Sequence, residues 1–134
     1  MADTPPRSPL APEQFPILPL ISGVSFASAA AGVKYQGRTD VMLAQIAPGS
    51  AMAGVFTKSS TRAAPVLDCQ AKIGLDSDAG AAIIVNSGNA NAFTGKNGIE
   101  ATQAVTDAVA DALDLPKTRV FSSSTGVIGE PLPH

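Results

Sequence analysis

The run Ser122-Ser-Ser-Thr125-Gly126-Val-Ile-Gly129 holds the residue types best suited to chemistry. It leaves an apolar stretch, Arg119-Val-Phe121, that reads as a strand. A threonine hydroxyl beside a glycine N–H offers two hydrogen-bond donors, and the glycine has no side chain to block approach. Two convergent donors suit the negative oxygen of a tetrahedral acyl-transfer intermediate. Thr125 and Gly126 are therefore candidate oxyanion-hole residues. The plainer reading is a turn, because Ser/Thr/Gly clusters after strands commonly are turns. No nucleophile and base accompany the pair. The only histidine, His134, is the last residue, so a Ser-His-Asp or Cys-His arrangement inside the chain is not expected.

A second polar segment, Asn86-Ser-Gly-Asn-Ala-Asn-Ala-Phe-Thr-Gly95, follows the apolar run Gly80-Ala-Ala-Ile-Ile-Val85. Asn and Gly both tolerate positive φ, and Asn side chains brace turns. A structural loop bracing the site is favoured over a substrate-lining loop. The spacing of Gly88 and Gly95 fits neither the dinucleotide fingerprint nor a Walker loop. Cys69 reads as a small core residue rather than a nucleophile. Asp76-Ser-Asp78 reads as a solvated turn, and no Cys/His spacing suggests a metal. Ser59-Ser60-Thr61 reads as a polar loop.

These segments need elements to hold them. Residues 1–19 contain six of the eleven prolines and cannot sustain a helix or interior strand. They read as an extended or mobile arm before a domain spanning 20–134. Strands are expected at Val24–Ala27, within Ala29–Gly37, at Val41–Ile46 (covered on both faces), at Ala51–Thr57, at Gly80–Val85 and at Thr118–Ser123. A short helix is expected over 66–76, with Pro65 turning Ala64 away from helical geometry. The best helix opens at a capping pair, Asn97 and Glu100. It presents Val105, Ala108, Val109, Ala112 and Leu113 on one face, Asp107 and Asp111 on the other, and closes before Pro116. Mixed strand and helix signals predict an α/β fold, a mixed β-sheet layered with helices.

The chain has 134 residues, 45% hydrophobic but only 4% aromatic, with no Trp and 12 Gly. It can bury a real core, built from Ala, Val, Ile and Leu. Net charge is −2, and its Lys and Arg are scattered, which argues against a nucleic-acid partner. No apolar run approaches the ~20 residues of a membrane span. A secretory signal is not expected. The single cysteine allows no internal disulfide and fits a cytoplasmic location.

Several stretches together resemble one family. They are Val55-Phe-Thr57 with Ala63-Ala-Pro-Val66, the Asn86–Gly95 segment, and Ser124-Thr-Gly-Val-Ile-Gly129 with Leu132-Pro133. In this order they resemble the N-terminal part of the ornithine acetyltransferases, the bifunctional glutamate N-acetyltransferases of arginine biosynthesis. The resemblance runs from about Gly23 to His134. It departs at Ser59, where the family usually has Asn.

The resemblance implies a precursor that cuts itself before a threonine, giving an α and a β chain that stay together and pair into a heterotetramer. The new N-terminal threonine takes the acetyl group of N2-acetylornithine, and glutamate then accepts it. A free α-amino group, with a reference pKa of ~8, suits the role of base. The family's Thr-Gly oxyanion hole falls on Thr125 and Gly126. No cofactor is implied, although some members also accept acetyl-CoA. The nucleophile and substrate-binding residues would lie beyond His134, so the chain alone is expected to be inactive. Two other readings remain: a hydrolase of similar fold using water as acceptor, and a noncatalytic module holding a small anion.

Overall fold

The computed structural model describes residues 7–134. Four strands form one sheet in the order β1 (Val24–Ala29), β2 (Val41–Ile46), β3 (Ala81–Asn89), β4 (Val120–Val127). The first two pairings are antiparallel. β3 and β4 are parallel, joined by the long crossover helix α2 (Gly95–Leu113) and a 3-10 turn, Lys117–Arg119. A parallel return requires such a crossover. The mixed sheet with helices is the α/β architecture expected. α1 (Ala64–Lys72) precedes β3 and packs mainly against β4.

Alternation along the strands divides the core between two faces. Phe121 and Ala81 meet Cys69 of α1, with Ile46, Met52, Phe56, Ile73 and Ile83 around them. On the other face Ala82 and Val120 meet Ala110 of α2, with Leu43, Val109, Leu113 and Leu115. Ala81, Ala82 and Val120 have no exposed surface. Small side chains at these points let helix and sheet approach closely, which compensates for the missing aromatics.

Several expected elements move. No strand forms over 51–57; this segment is irregular and lays Met52 and Phe56 on the Phe121 cluster. Those two side chains pack without a ladder partner, while Val55 is exposed. No second strand forms within Ala29–Gly37 either: β1 ends at Ala29, and the Asp40 carboxylate takes the N–H groups of Ala31 and Val33, both at 2.7 Å. β2 is only half-buried, with Ala44 alone fully buried. α1 starts at Ala64, two residues early: Pro65 sits in the first turn, where its missing N–H has no helical acceptor to lose.

β3 continues four residues past Val85, since Asn86 still pairs with Val41 and with Ser124. α2 begins at Gly95, so Asn97 and Glu100 are helical residues and not a cap; Glu100 pairs instead with Lys96 at 3.4 Å. The buried stripe of α2 is Gly98, Ala101, Thr102, Thr106 and Ala110, while Ala108 and Ala112 are exposed. Threonine can join this stripe because its hydroxyl bonds back to the helix, Thr102 to the Gly98 carbonyl at 2.9 Å. Asp114, in the left-handed region at φ 51, ends α2 before Pro116.

Residues 7–23 form no helix or strand, and Phe15, Ile17, Leu18 and Leu20 are exposed; the first six residues of the expected arm lie outside the described residues. Among the described residues no helix is long and apolar enough to cross a membrane, and no cluster of metal-ligating side chains occurs.

Candidate functional site

Thr125 and Gly126 lie on β4 itself, near its end, and not in a loop beyond it. Both are exposed. Gly126 has φ +136, and a Cβ there would stand 2.3 Å from the Gly88 carbonyl carbon and 2.5 Å from the Asn89 nitrogen. No side chain fits, so two strands approach on bare backbone where Gly88 pairs with Gly126. The ladder slips beside this rung, between Gly88 and Asn89. Such a bulge re-aims the groups at a strand end.

β4 is an edge strand, and α1 covers only part of that edge. Lys72 Nζ donates to the Val120 carbonyl at 3.1 Å, and Cys69 Sγ donates to the Ser122 carbonyl at 3.3 Å. Two outward carbonyls of the edge are thereby satisfied. Val127, by contrast, accepts from Ala90 N at 2.9 Å, on the β3 side. Successive peptides of a strand alternate in direction. That alternation is broken at Gly126, whose φ of +136 departs from regular strand geometry beside the register shift. α1 starts at Ala64 and reaches the edge only as far as Ser124, where Pro65 and Val66 share a concavity with Ser122–Ser124. Thr125 and Gly126 lie past that concavity and are exposed.

Cys69 is buried and unpaired. Burial pushes its thiol pKa up, partly opposed by the bond to Ser122. That suits a structural thiol, as expected. Ser59, Ser60 and Thr61 are exposed, and Ser59 Oγ and Thr61 Oγ1 lie 3.0 Å apart. His134 Nδ1 lies 3.2 Å from the Leu132 carbonyl, a local contact.

The Asn segment is a brace. Asn89 and Asn91 are both buried. Asn91 donates to the Gly98 carbonyl and Thr102 Oγ1, each at 2.9 Å, and accepts from Thr94 Oγ1 at 2.8 Å. Its nitrogen donates to Asn89 Oδ1 at 2.7 Å. Asn89 Nδ2 reaches the Glu130 and Pro131 carbonyls, both at 3.1 Å. Asn86 Nδ2 donates to the Asn89 carbonyl at 2.9 Å, and Ser124 Oγ donates to Asn86 Oδ1 at 2.6 Å. The segment thus ties β3, β4, α2 and the tail after β4. Asn91 and Phe93 take left-handed backbone, at φ 46 and 56, to make the turn.

Sequence reasoning passed over Asp40. The residue is 5% exposed, and its carboxylate holds the 31–33 turn through two backbone N–H groups. Burial raises its pKa, but the N–H bonds from Ala31, Val33 and Gly32 outweigh it, leaving a net lowering. The Asp40 carbonyl also accepts from Ser87 N at 2.8 Å. Lys34, in the same loop, packs against Gly88 and pairs with Glu130 at 2.5 Å. The available signal was a lone acidic residue directly before an apolar strand.

The sequence pattern of the ArgJ family matches residues 25–134. The chain belongs to the ArgJ family. It is 67% identical over 127 residues to the arginine biosynthesis bifunctional protein ArgJ of Ruegeria pomeroyi, covering 95% of this chain and 31% of the relative. Identity to the Nitrobacter winogradskyi ArgJ is 52% over 127 residues, covering 93% and 30%. It therefore spans about 30% of the length of these curated relatives. Two ArgJ-family structures share the fold. The Mycobacterium tuberculosis ornithine acetyltransferase complexed with ornithine matches at TM-score 0.76 and 42% identity, over 84% of this chain and 60% of that one. The Bacillus halodurans ArgJ matches at TM-score 0.75 and 36% identity, over 84% and 58%.

Proposed function

We propose that this chain is the α-chain portion of a glutamate N-acetyltransferase and supplies its oxyanion hole. Thr125 Oγ1–H and Gly126 N–H hold the negative oxygen while an acetyl group passes from N2-acetylornithine to a threonine. That threonine heads a β chain released by self-cleavage, and glutamate takes the acetyl group in a second step. In the first, the threonine oxygen bonds the acetyl carbon and ornithine leaves as the amine, taking up a proton. In the second, the glutamate amine bonds the same carbon and the threonine oxygen is released and reprotonated. Residues 1–19 form an arm and 20–134 the α/β domain. The assembled enzyme, two α and two β chains, works in the cytoplasm and needs no cofactor.

The observation that carries this reading is the exposed Thr125–Gly126 pair near the end of β4, where the backbone at Gly126 carries no side chain and none would fit. Family membership supports acetyl transfer in arginine biosynthesis. The ornithine bound to the tuberculosis enzyme supports the substrate. The solved chains are covered to 58–60% but the Ruegeria relative only to 31%, so the solved chains are far shorter than that polypeptide. A polypeptide divided in two accounts for the difference.

The test is Thr125→Ala in the complete enzyme, assayed for acetylglutamate formed from acetylornithine. Loss of one oxyanion donor lowers kcat ~10²–10³-fold with KM little changed, because the interaction is made in the transition state. Turnover near wild type discards the role. Release of free acetate in place of acetylglutamate would identify a hydrolase instead.

A further inference from the structure

Around the Gly88–Gly126 rung runs a closed ring of contacts. Asp40 grips the 31–33 turn with its carboxylate and holds Ser87 N through its carbonyl. The turn lays Lys34 over Gly88 so closely that a Cβ on Gly88 would stand 2.8 Å from Lys34 Cβ. Lys34 Nζ then crosses to Glu130, 96 residues along the chain. The Glu130 carbonyl returns the ring to β3 through Asn89 Nδ2. Three segments far apart in sequence are thus tied across the rung that bears one of the two donors. The one link that is neither backbone nor buried is the Lys34–Glu130 pair, with the side chains 30% and 46% exposed.

We propose that Lys34 and Glu130 are positioning residues, a strap that fixes the Gly88–Gly126 rung and so aims the Thr125–Gly126 donors. This rests on the oxyanion-hole reading above. An exposed ion pair of this kind adds little to global stability. A fold could do without it; an oxyanion hole, whose donors must meet a reacting oxygen within tenths of an ångström, could not. Neither residue need touch the substrate, and the strap acts through Gly88.

The experiment uses the complete enzyme with Lys34→Ala, Glu130→Gln and the exchanged pair Lys34→Glu/Glu130→Lys, alongside Thr125→Ala. Each single strap variant should lower kcat about tenfold, leave KM within about twofold and leave Tm nearly unchanged, since small misplacements cost rate without unfolding. The exchanged pair, which restores the ion link, should recover most of kcat. Unchanged kcat in both singles overturns the strap, as does a loss confined to KM or one that tracks a fall in Tm. Failure of the exchanged pair to exceed either single also overturns it. If Thr125→Ala loses turnover while the strap variants do not, only the strap fails. If Thr125→Ala itself turns over normally, the oxyanion-hole reading fails first.

Discussion

The Asn86–Gly95 segment and the Ser122–Gly129 segment are built from the same vocabulary of Asn, Ser, Thr and Gly, yet their environments are opposite. Asn91 has its side chain buried with three side-chain hydrogen bonds. Thr125 is exposed near the end of the edge strand β4, and Gly126 beside it carries no side chain. A polar group that has found all its partners inside the protein braces the fold. One left facing outward on a rigid support is free for a ligand. The first segment therefore holds the second through Asn86 on Ser124, and holds the chain just after it through Asn89 on the Glu130 and Pro131 carbonyls.

This contrast can be broken most severely at Gly126. Gly126→Ala forces a Cβ into the β3 backbone, so the rung must open, and turnover of the complete enzyme should fall at least ~10³-fold. Turnover within tenfold of wild type would show that the rung is not a needed support. Next comes Asn91→Ala, which strands several buried groups and should cost about 3 kcal/mol by denaturant unfolding. Thr125→Ala, exposed, should stay within about 0.5 kcal/mol in the same measurement while losing turnover. Equal destabilisation by the two would erase the distinction between brace and site.

A subtler check uses Cys69. Its raised thiol pKa and burial should leave it unalkylated by iodoacetamide in the folded protein and reactive once unfolded, read by intact mass. Labelling at the native rate of a free thiol would mean that α1 does not stay on the β4 edge. The smallest expected effect is at Asp40. Its folded pKa is lowered, so its contribution is present above the unfolded value of ~3.9 and fades as pH falls through the folded value. The stability gap between wild type and Asp40→Asn should narrow from about pH 6 to pH 2. A gap independent of pH would mean that the carboxylate charge does not hold the 31–33 turn.

Periodicity located β1, β2 and the long crossover helix, and the α/β class followed from their mixture. It failed where side chains replaced ladders. Asp40 consumes N–H groups that the strand expected within Ala29–Gly37 would use. The 51–57 stretch is apolar in pattern but packs only Met52 and Phe56, without pairing its backbone. On α2, Val109 and Leu113 pack on the core as expected, but Thr102 and Thr106 are buried where Ala108 and Ala112 were expected. Their hydroxyls are satisfied inside the helix and the Asn brace, which no hydropathy pattern records.

Composition and motif order alone determined the family resemblance, the small-residue core and the candidacy of Thr125 and Gly126, because those depend on residue type and local spacing. Only the tertiary structure decided that Gly126 lies against the Gly88 backbone, that Asn89 and Asn91 are spent as braces, and that Lys34 meets Glu130. Each of these depends on which distant strand or loop arrives alongside. A chain read one residue at a time carries the donors of a hydrogen bond but not the partner that folding brings to them.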